Sequence, residues 1–249
     1  MGFPTNQVSV NDPIIPVPQS IYEPSLTQAA PLGTRLRIAD RTYYYGQAAA
    51  SVGAGVVVCA PINVASHQSG IFAVAAATAP TKTLSGTSSA AVAANLYAEG
   101  YFGEALGAGA GEMYRIKGNV AGSTGFAITL YDGLNTTITS GTGFWLTKNP
   151  FSNVAVGSQG LGTPVGLAPV NITSGAYAWL QTWGPANPTH VGATPAAAVL
   201  HLGTTGGVTT TFDATTNGGI AAVAFQIGKN SNLAATAGQA NPVFLTILP

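Results

Sequence analysis

Charge is the first thing this chain lacks. Only 6% of its 249 residues are charged, eight basic and eight acidic, so the formal net charge is zero; an ordinary globular domain carries about 25%. Neutralising phosphates takes clustered Lys and Arg, so a nucleic-acid partner is not expected. Zero net charge gives little colloidal repulsion and favours association. Long apolar runs are missing too. The apolar stretches are broken by Gly, Pro, Ser and Thr, and none reaches the roughly 18 residues of a spanning helix. Outer-membrane barrels usually carry charged outer loops and periodic aromatic girdles, whereas the 8% aromatics here are spread unevenly. No membrane partner is expected. Disorder is disfavoured by 46% hydrophobic residues and no net charge. Assembly with other chains is the explanation that remains.

Cysteine is scarce as well. The single Cys59, in the apolar run "VVVCAPI", excludes an intrachain disulfide framework and reads as a buried, inert thiol. The opening "MGFPTNQ" has neither the basic nor the apolar region of a signal peptide. Asn6 stands where a myristoylation signal has Ser or Thr. Export by the standard route is therefore not expected.

Catalytic patterns are equally thin. His67, His190 and His201 show no metal-ligand spacing with Cys or carboxylates. His67, in "ASHQSG", reads as a loop residue. Glu99, Glu104 and Glu112 cluster around "GEALGAGAGE" and read as solvated loop acids. A glycosidase would need two carboxyls across a cleft, and no clustering of cleft aromatics or basic residues supports one. "GAGAGE" lacks the Lys-Ser/Thr of a phosphate loop. No catalytic residue, cofactor or metal is expected, and the chain does not read as an enzyme.

Two things are plentiful: prolines near the start, and short strand-like runs after them. Residues 1–33 contain Pro13, Pro16, Pro18, Pro24 and Pro31, which disfavour a helix. Ile14, Ile15, Val17, Ile21, Tyr22 and Leu26 between them are too many apolar anchors for a solvated linker. Such a segment either lies extended on a neighbouring chain or packs on its own domain. From Thr34 onward strands dominate. "TRLRIADRTYYYGQA" reads as a hairpin with Arg35, Arg37 and Arg41 on an exposed face or edge. "SSAAVAANLYAEGYF" is read as strand, against its alanines. Gly-rich turns at short intervals predict an all-β, antiparallel sandwich or barrel, jelly-roll-like, over 34–249. A division into β subdomains 34–150 and 151–249 is the alternative to one domain.

"GAYAWLQTWGPA" is the aromatic high point. As a strand it would point Tyr177, Trp179, Gln181 and Trp183 to one face, and Ala178, Leu180 and Thr182 to the other. Neither face carries a charge. Tyr177, Trp179 and Trp183 are therefore expected to be buried, in the core or at a subunit contact.

At "NPFSNVAVGSQGLGTPVGLAPVNITSGAYAWLQTWGPA" the chain resembles a family of tailed-bacteriophage virion proteins of aquatic phages. Upstream, "PLGTRLRIADRTYYYGQA" and "YAEGYF…GAGEMYRIKGN" resemble segments of the same family, and the closing "VAFQIG…PVFLTI" follows the order of capsid cement or decoration proteins. The resemblance covers roughly 31–249; "ADRT" and the Ala-rich region 71–94 depart from it. It implies a structural protein on the outside of a phage head that clamps neighbouring capsid subunits. The implied partners are the major capsid protein and copies of itself, as a homotrimer. A β-sandwich carbohydrate-binding module of a head or tail fibre is the alternative, with Trp145 or Trp183 stacking on sugars in an open groove.

Overall fold

The computed structural model describes residues 19–69, 71–157, 162–193, 195, 199–203, 205–210 and 237–248, and 226–230 as backbone. Among them lie sixteen strands. In chain order these are β1 (Arg35–Ile38), β2 (Arg41–Gln47), β3 (Val57–Cys59), β4 (Ile71–Ala73), β5 (Thr83–Thr87), β6 (Tyr101–Glu104), β7 (Met113–Asn119) and β8 (Gly125–Leu130). They continue with β9 (Gly143–Thr147), β10 (Ala155–Val156), β11 (Pro164–Leu167), β12 (Tyr177–Ala186), β13 (Val199–Leu202), β14 (Val208–Thr209), β15 (Gln226–Asn230) and β16 (Val243–Thr246). The pairings between these strands are antiparallel, and the chain is all-β as its turn-punctuated pattern predicts.

The subdomain division differs from the one read in the sequence. One compact unit is Met1–Pro61 together with Pro150–Pro249, and the other is Ile62–Asn149. The boundary near 150 marks the end of an insertion, because residues 34–61 belong with the C-terminal part. Long-range pairing decides this: β2 pairs with β12, and β3 with β10 and β11. Local periodicity cannot report such partners.

The first unit is a ten-stranded sheet in the order β10-β3-β11-β12-β16-β15-β13-β14, with β2 on β12 and β1 on β2. The expected hairpin is β1–β2, turning at Ala39 and Asp40, with Ala39 at φ 52. Leu36, Tyr43 and Tyr45 are buried, while Arg35 and Arg37 face solvent. The long β12 organises the unit. It pairs with β2 over Tyr177–Trp183 and with β16 over Trp183–Ala186. Every residue from Ala178 to Thr182 is buried. On one face, glycines make the room: a Cβ on Gly166 would stand 2.7 Å from Leu180 Cβ, and one on Gly46 2.8 Å from Leu180 Cδ1.

The second unit is a closed six-stranded barrel, β4-β5-β8-β7-β6-β9. Closure removes the unpaired edges that an open sheet exposes. Leu84, Phe102, Ile116, Phe126, Ile128, Phe144 and Leu146 fill it. Gly86 is required there, since a Cβ would come 2.5 Å from Phe144 Cζ. The strand read over "SSAAVAANLYAEGYF" is not present. Residues 94–99 turn, with Asn95 at φ 54 and Glu99 at φ 59, and β6 begins only at Tyr101. Those left-handed positions break an extended run that the alanines, short of side chain to bury, do nothing to hold.

Candidate functional site

In the sheet unit the described arm residues, 19–33, pack on their own unit. Gln19 is the anchor and is buried. Its Nε2 donates to the carbonyls of Glu23 (2.7 Å) and Tyr177 (2.9 Å). Its Oε1 accepts from the Tyr45 hydroxyl at 2.6 Å, and its carbonyl accepts from Trp179 Nε1 at 3.1 Å. Tyr45 also accepts from the Ala29 N–H at 3.0 Å. Burial pushes the Tyr45 hydroxyl above its ordinary pKa, which keeps it a donor. Ser25 and Tyr177 exchange backbone bonds, extending the sheet by one bridge. Of the six apolar anchors, Ile21 is half-buried against the core, whereas Tyr22 and Leu26 are exposed. Ile14, Ile15 and Val17 lie outside the described residues.

The aromatic strand is treated unevenly. Trp179 is 1% exposed, with Tyr45 edge-on to it at 5.0 Å and Tyr45 stacked on Tyr177. Tyr177 is half-buried. Trp183 departs from the expectation of burial: it is half-buried, with Phe244 standing at 85° to it and 5.4 Å away. A register shift between Gln181 and Trp183 interrupts the alternation, as a bulge does when it re-aims a side chain.

In the barrel unit the three acids are not equivalent, and two of them contradict the solvated reading. Glu104 ends β6, is 3% exposed and pairs with core residue Phe144 across the strands. Alternation therefore turns it inward at one end of the barrel. The Gly-rich run closes over it: Gly109 N–H donates to Glu104 Oε1 at 3.4 Å, and a Cβ on Gly107 or Gly109 would come 2.4 Å from its oxygens. Desolvation pushes the Glu104 carboxyl up, Gly109 opposes this, and nearby Glu112 adds to it. Glu112 is half-buried and accepts bonds from Asn135 Nδ2 (3.0 Å), Thr136 Oγ1 (2.8 Å) and the Tyr114 hydroxyl. Those bonds pull its pKa down. Glu99 is half-buried and pairs with Arg115 at 3.4 Å. "GAGAGE" is thus a lid on a buried acid. Its glycines were visible in the sequence, but the partner they cover was not.

The histidines separate in the same way. His67 is fully buried in the short 3₁₀ turn Ala65–His67, not in an open loop. Its Nδ1 meets the Tyr97 hydroxyl at 2.5 Å and its Nε2 the Ala90 carbonyl at 3.2 Å. Burial pushes Tyr97 up to about 12. In the other unit His190 bridges to Val208, and His201 pairs with Thr209. Among the described residues no three His, Cys, Asp or Glu side chains gather as a metal site would require. Cys59 is buried and in no disulfide.

The barrel also carries an apolar outer face that the sequence reading missed. Phe72 on β4 pairs with Gly143 on β9, Trp145 on β9 with Gly103 on β6, and Gly103 with Met113 on β7. The Trp145 ring lies over Gly103, where a Cβ would sit 2.0 Å from its Cζ2. Phe72 and Leu106 meet over Gly143, each within 4 Å of a Cβ there. Phe72, Leu106 and Met113 are 47%, 66% and 61% exposed.

No family model, curated protein or solved structure matches the chain.

Proposed function

We propose that this protein is a structural virion component, a cement or decoration protein on the outside of a tailed-phage head. It binds the major capsid protein and neighbouring copies of itself, as a homotrimer capping local three-fold points of the shell. It is not an enzyme on this reading. The observation that carries the proposal is the surface: large apolar side chains stand exposed on both units, Leu26 and Phe244 on one and Phe72, Leu106 and Met113 on the other, in a chain of zero net charge. An apolar face such as the one that Phe72, Leu106 and Met113 form on the barrel is the kind of surface that partners cover. The order of the phage-like sequence segments supplies the kind of partner, by analogy.

The half-buried Trp145 and Trp183 favour a second reading, a carbohydrate-binding module. Against it, Phe244 stands perpendicular to Trp183, so this pair offers no flat platform for a sugar ring. Purified heads stripped of the protein should rebind it at fixed stoichiometry, visible as symmetric density on the shell. Absent rebinding, together with glycan binding by the free protein, would overturn the proposal in favour of the second reading.

A further inference from the structure

We propose that residues 13–18, "PIIPVP", dock across the apolar outer face of the barrel of a second copy. The inference rests on the self-associating reading above and names the surface that the association uses. Four observations meet here. The face suits an extended, proline-containing segment: the Trp145 ring lies down on Gly103, Phe72 and Leu106 meet over Gly143, and Met113 stands exposed across from Gly103, which leaves a shallow, aromatic-lined apolar surface. Aromatic-lined shallow faces take Pro-x-x-Pro segments because φ is already fixed at the prolines and little entropy is lost on docking. Pro13-Ile14-Ile15-Pro16 has that spacing.

The dimensions agree. From Met113 to Phe72 the face crosses three strand spacings, about 14 Å at roughly 4.8 Å each. Pro13 to Pro18 spans about 15 Å at roughly 3.1 Å per residue in the polyproline conformation. The charge agrees as well. Asp12 is the only charged residue among the first 22. Finally, Gln19 is fixed on its own sheet unit by the bonds to Tyr45, Tyr177 and Trp179. The residues before it therefore leave from a fixed point, and Asp12 through Pro18 reach about 20 Å from it.

The test uses the full chain carrying Ile15→Cys with Met113→Cys, at exposed Met113 on β7, and needs no phage particles. Under mild oxidation, disulfide-linked dimers and larger species are expected, at least tenfold above an Ile15→Cys/Thr129→Cys control. Thr129 is exposed on β8. Adding Pro13→Ser and Pro16→Ser should abolish the excess. Equal cross-linking in the control, no cross-linking, or cross-links only within single chains would overturn the proposal. Protection of the Met113→Cys thiol by stripped heads but not by other copies would overturn it too, and assign the face to the shell. Since the readout is on free protein, its failure leaves shell binding standing, and failed shell binding leaves a positive cross-link standing.

Discussion

The Gln19–Tyr45 contact is the sharpest test of where the proximal arm belongs. Tyr45→Phe keeps the ring and its contacts with Trp179 and Tyr177, and removes one hydroxyl. That hydroxyl donates to Gln19 Oε1 at 2.6 Å and accepts from Ala29 N–H at 3.0 Å. A neutral hydrogen bond is worth about 0.5–1.5 kcal/mol net, and a buried group left unsatisfied costs about 1–3 kcal/mol. Ala29 is half-buried, so water replaces its partner, but Gln19 Oε1 is stranded. The expected loss is about 1.5–3 kcal/mol. Gln19→Ala should cost at least as much, because the Trp179 face of β12 loses its cover and the Tyr45 hydroxyl loses its acceptor. The two losses should not add: the coupling is expected near 1 kcal/mol, as for side chains in one network. Urea unfolding of the full chain in a Trp145→Phe background measures this. Only Trp179 and Trp183 then fluoresce, and both lie in the sheet unit. A zero coupling energy, with Tyr45→Phe costing under about 0.5 kcal/mol, would refute the docking of 19–33 on its own unit.

Other expectations follow from single contacts. Gly184→Ala should cost at least about 2 kcal/mol, because φ is 90° there and the new Cβ would stand 2.2 Å from the Asp40 carbonyl oxygen; denaturant midpoints read this directly. His67→Phe strands the Tyr97 hydroxyl in the barrel core, while the half-buried Ala90 carbonyl turns to water, an expected loss of about 1–3 kcal/mol in the barrel transition. Glu104 and Glu112 should act with opposite sign in thermal melts from pH 3 to 8. Glu104 has a raised folded pKa, so its stabilisation is complete below the ordinary Glu value and is lost as pH rises through the folded pKa. Glu104→Gln should therefore remove that decline and raise stability at pH 7. Glu112 has a lowered folded pKa, so its stabilisation is present above the ordinary value and lost as pH falls through the folded one. Glu112→Gln should lower stability at pH 7 and leave the acid end unchanged.

Much of the strand content was legible because alternation is a local signal. In "RLRIADRTYYYGQ" exposed Arg35 and Arg37 and buried Leu36, Tyr43 and Tyr45 follow from period two, whereas Arg41, expected on the exposed face, is half-buried over the Tyr43 ring. The nesting of one unit inside the other was not legible, since it depends on which distant strand each edge meets. Glu104 was misread for a related reason. Its immediate neighbours, Gly103 and Ala105, are small and give no sign of burial, and only closure of the barrel turns the end of β6 inward. His67 sits among Ser and Gln in sequence, and its burial comes from Tyr97, thirty residues away. Trp183 failed through one bulge, which period-two reasoning cannot foresee. The outer face of the barrel escaped notice because its residues are scattered in sequence and two of them are glycine. Gly103 and Gly143 carry no signal until pairing sets them beside Trp145 and Phe72.

The few charges also bear on how copies of this chain can meet. An open sheet offers its edges to other chains, and edges are the usual route to uncontrolled association. Here β10 and β14, the ends of the sheet path, are two residues long. β1, which pairs only with β2, carries Arg35 and Arg37 to solvent. The barrel has no edge at all. Two of eight basic residues thus stand on one short edge strand of an otherwise neutral chain, where a like strand from another copy would bring arginines against arginines. On the proposed self-association, copies are therefore left to meet through faces, by large exposed side chains such as Phe72, Leu106, Met113 and Phe244. Contacts of that kind hold few charges for salt to screen. The assembly constant measured by sedimentation should change less than about threefold between 0.05 and 1 M NaCl. Arg35→Thr with Arg37→Thr should by contrast unmask edge pairing, seen as open-ended aggregation. If the double variant stays as soluble as the parent, the arginines are not guarding that edge.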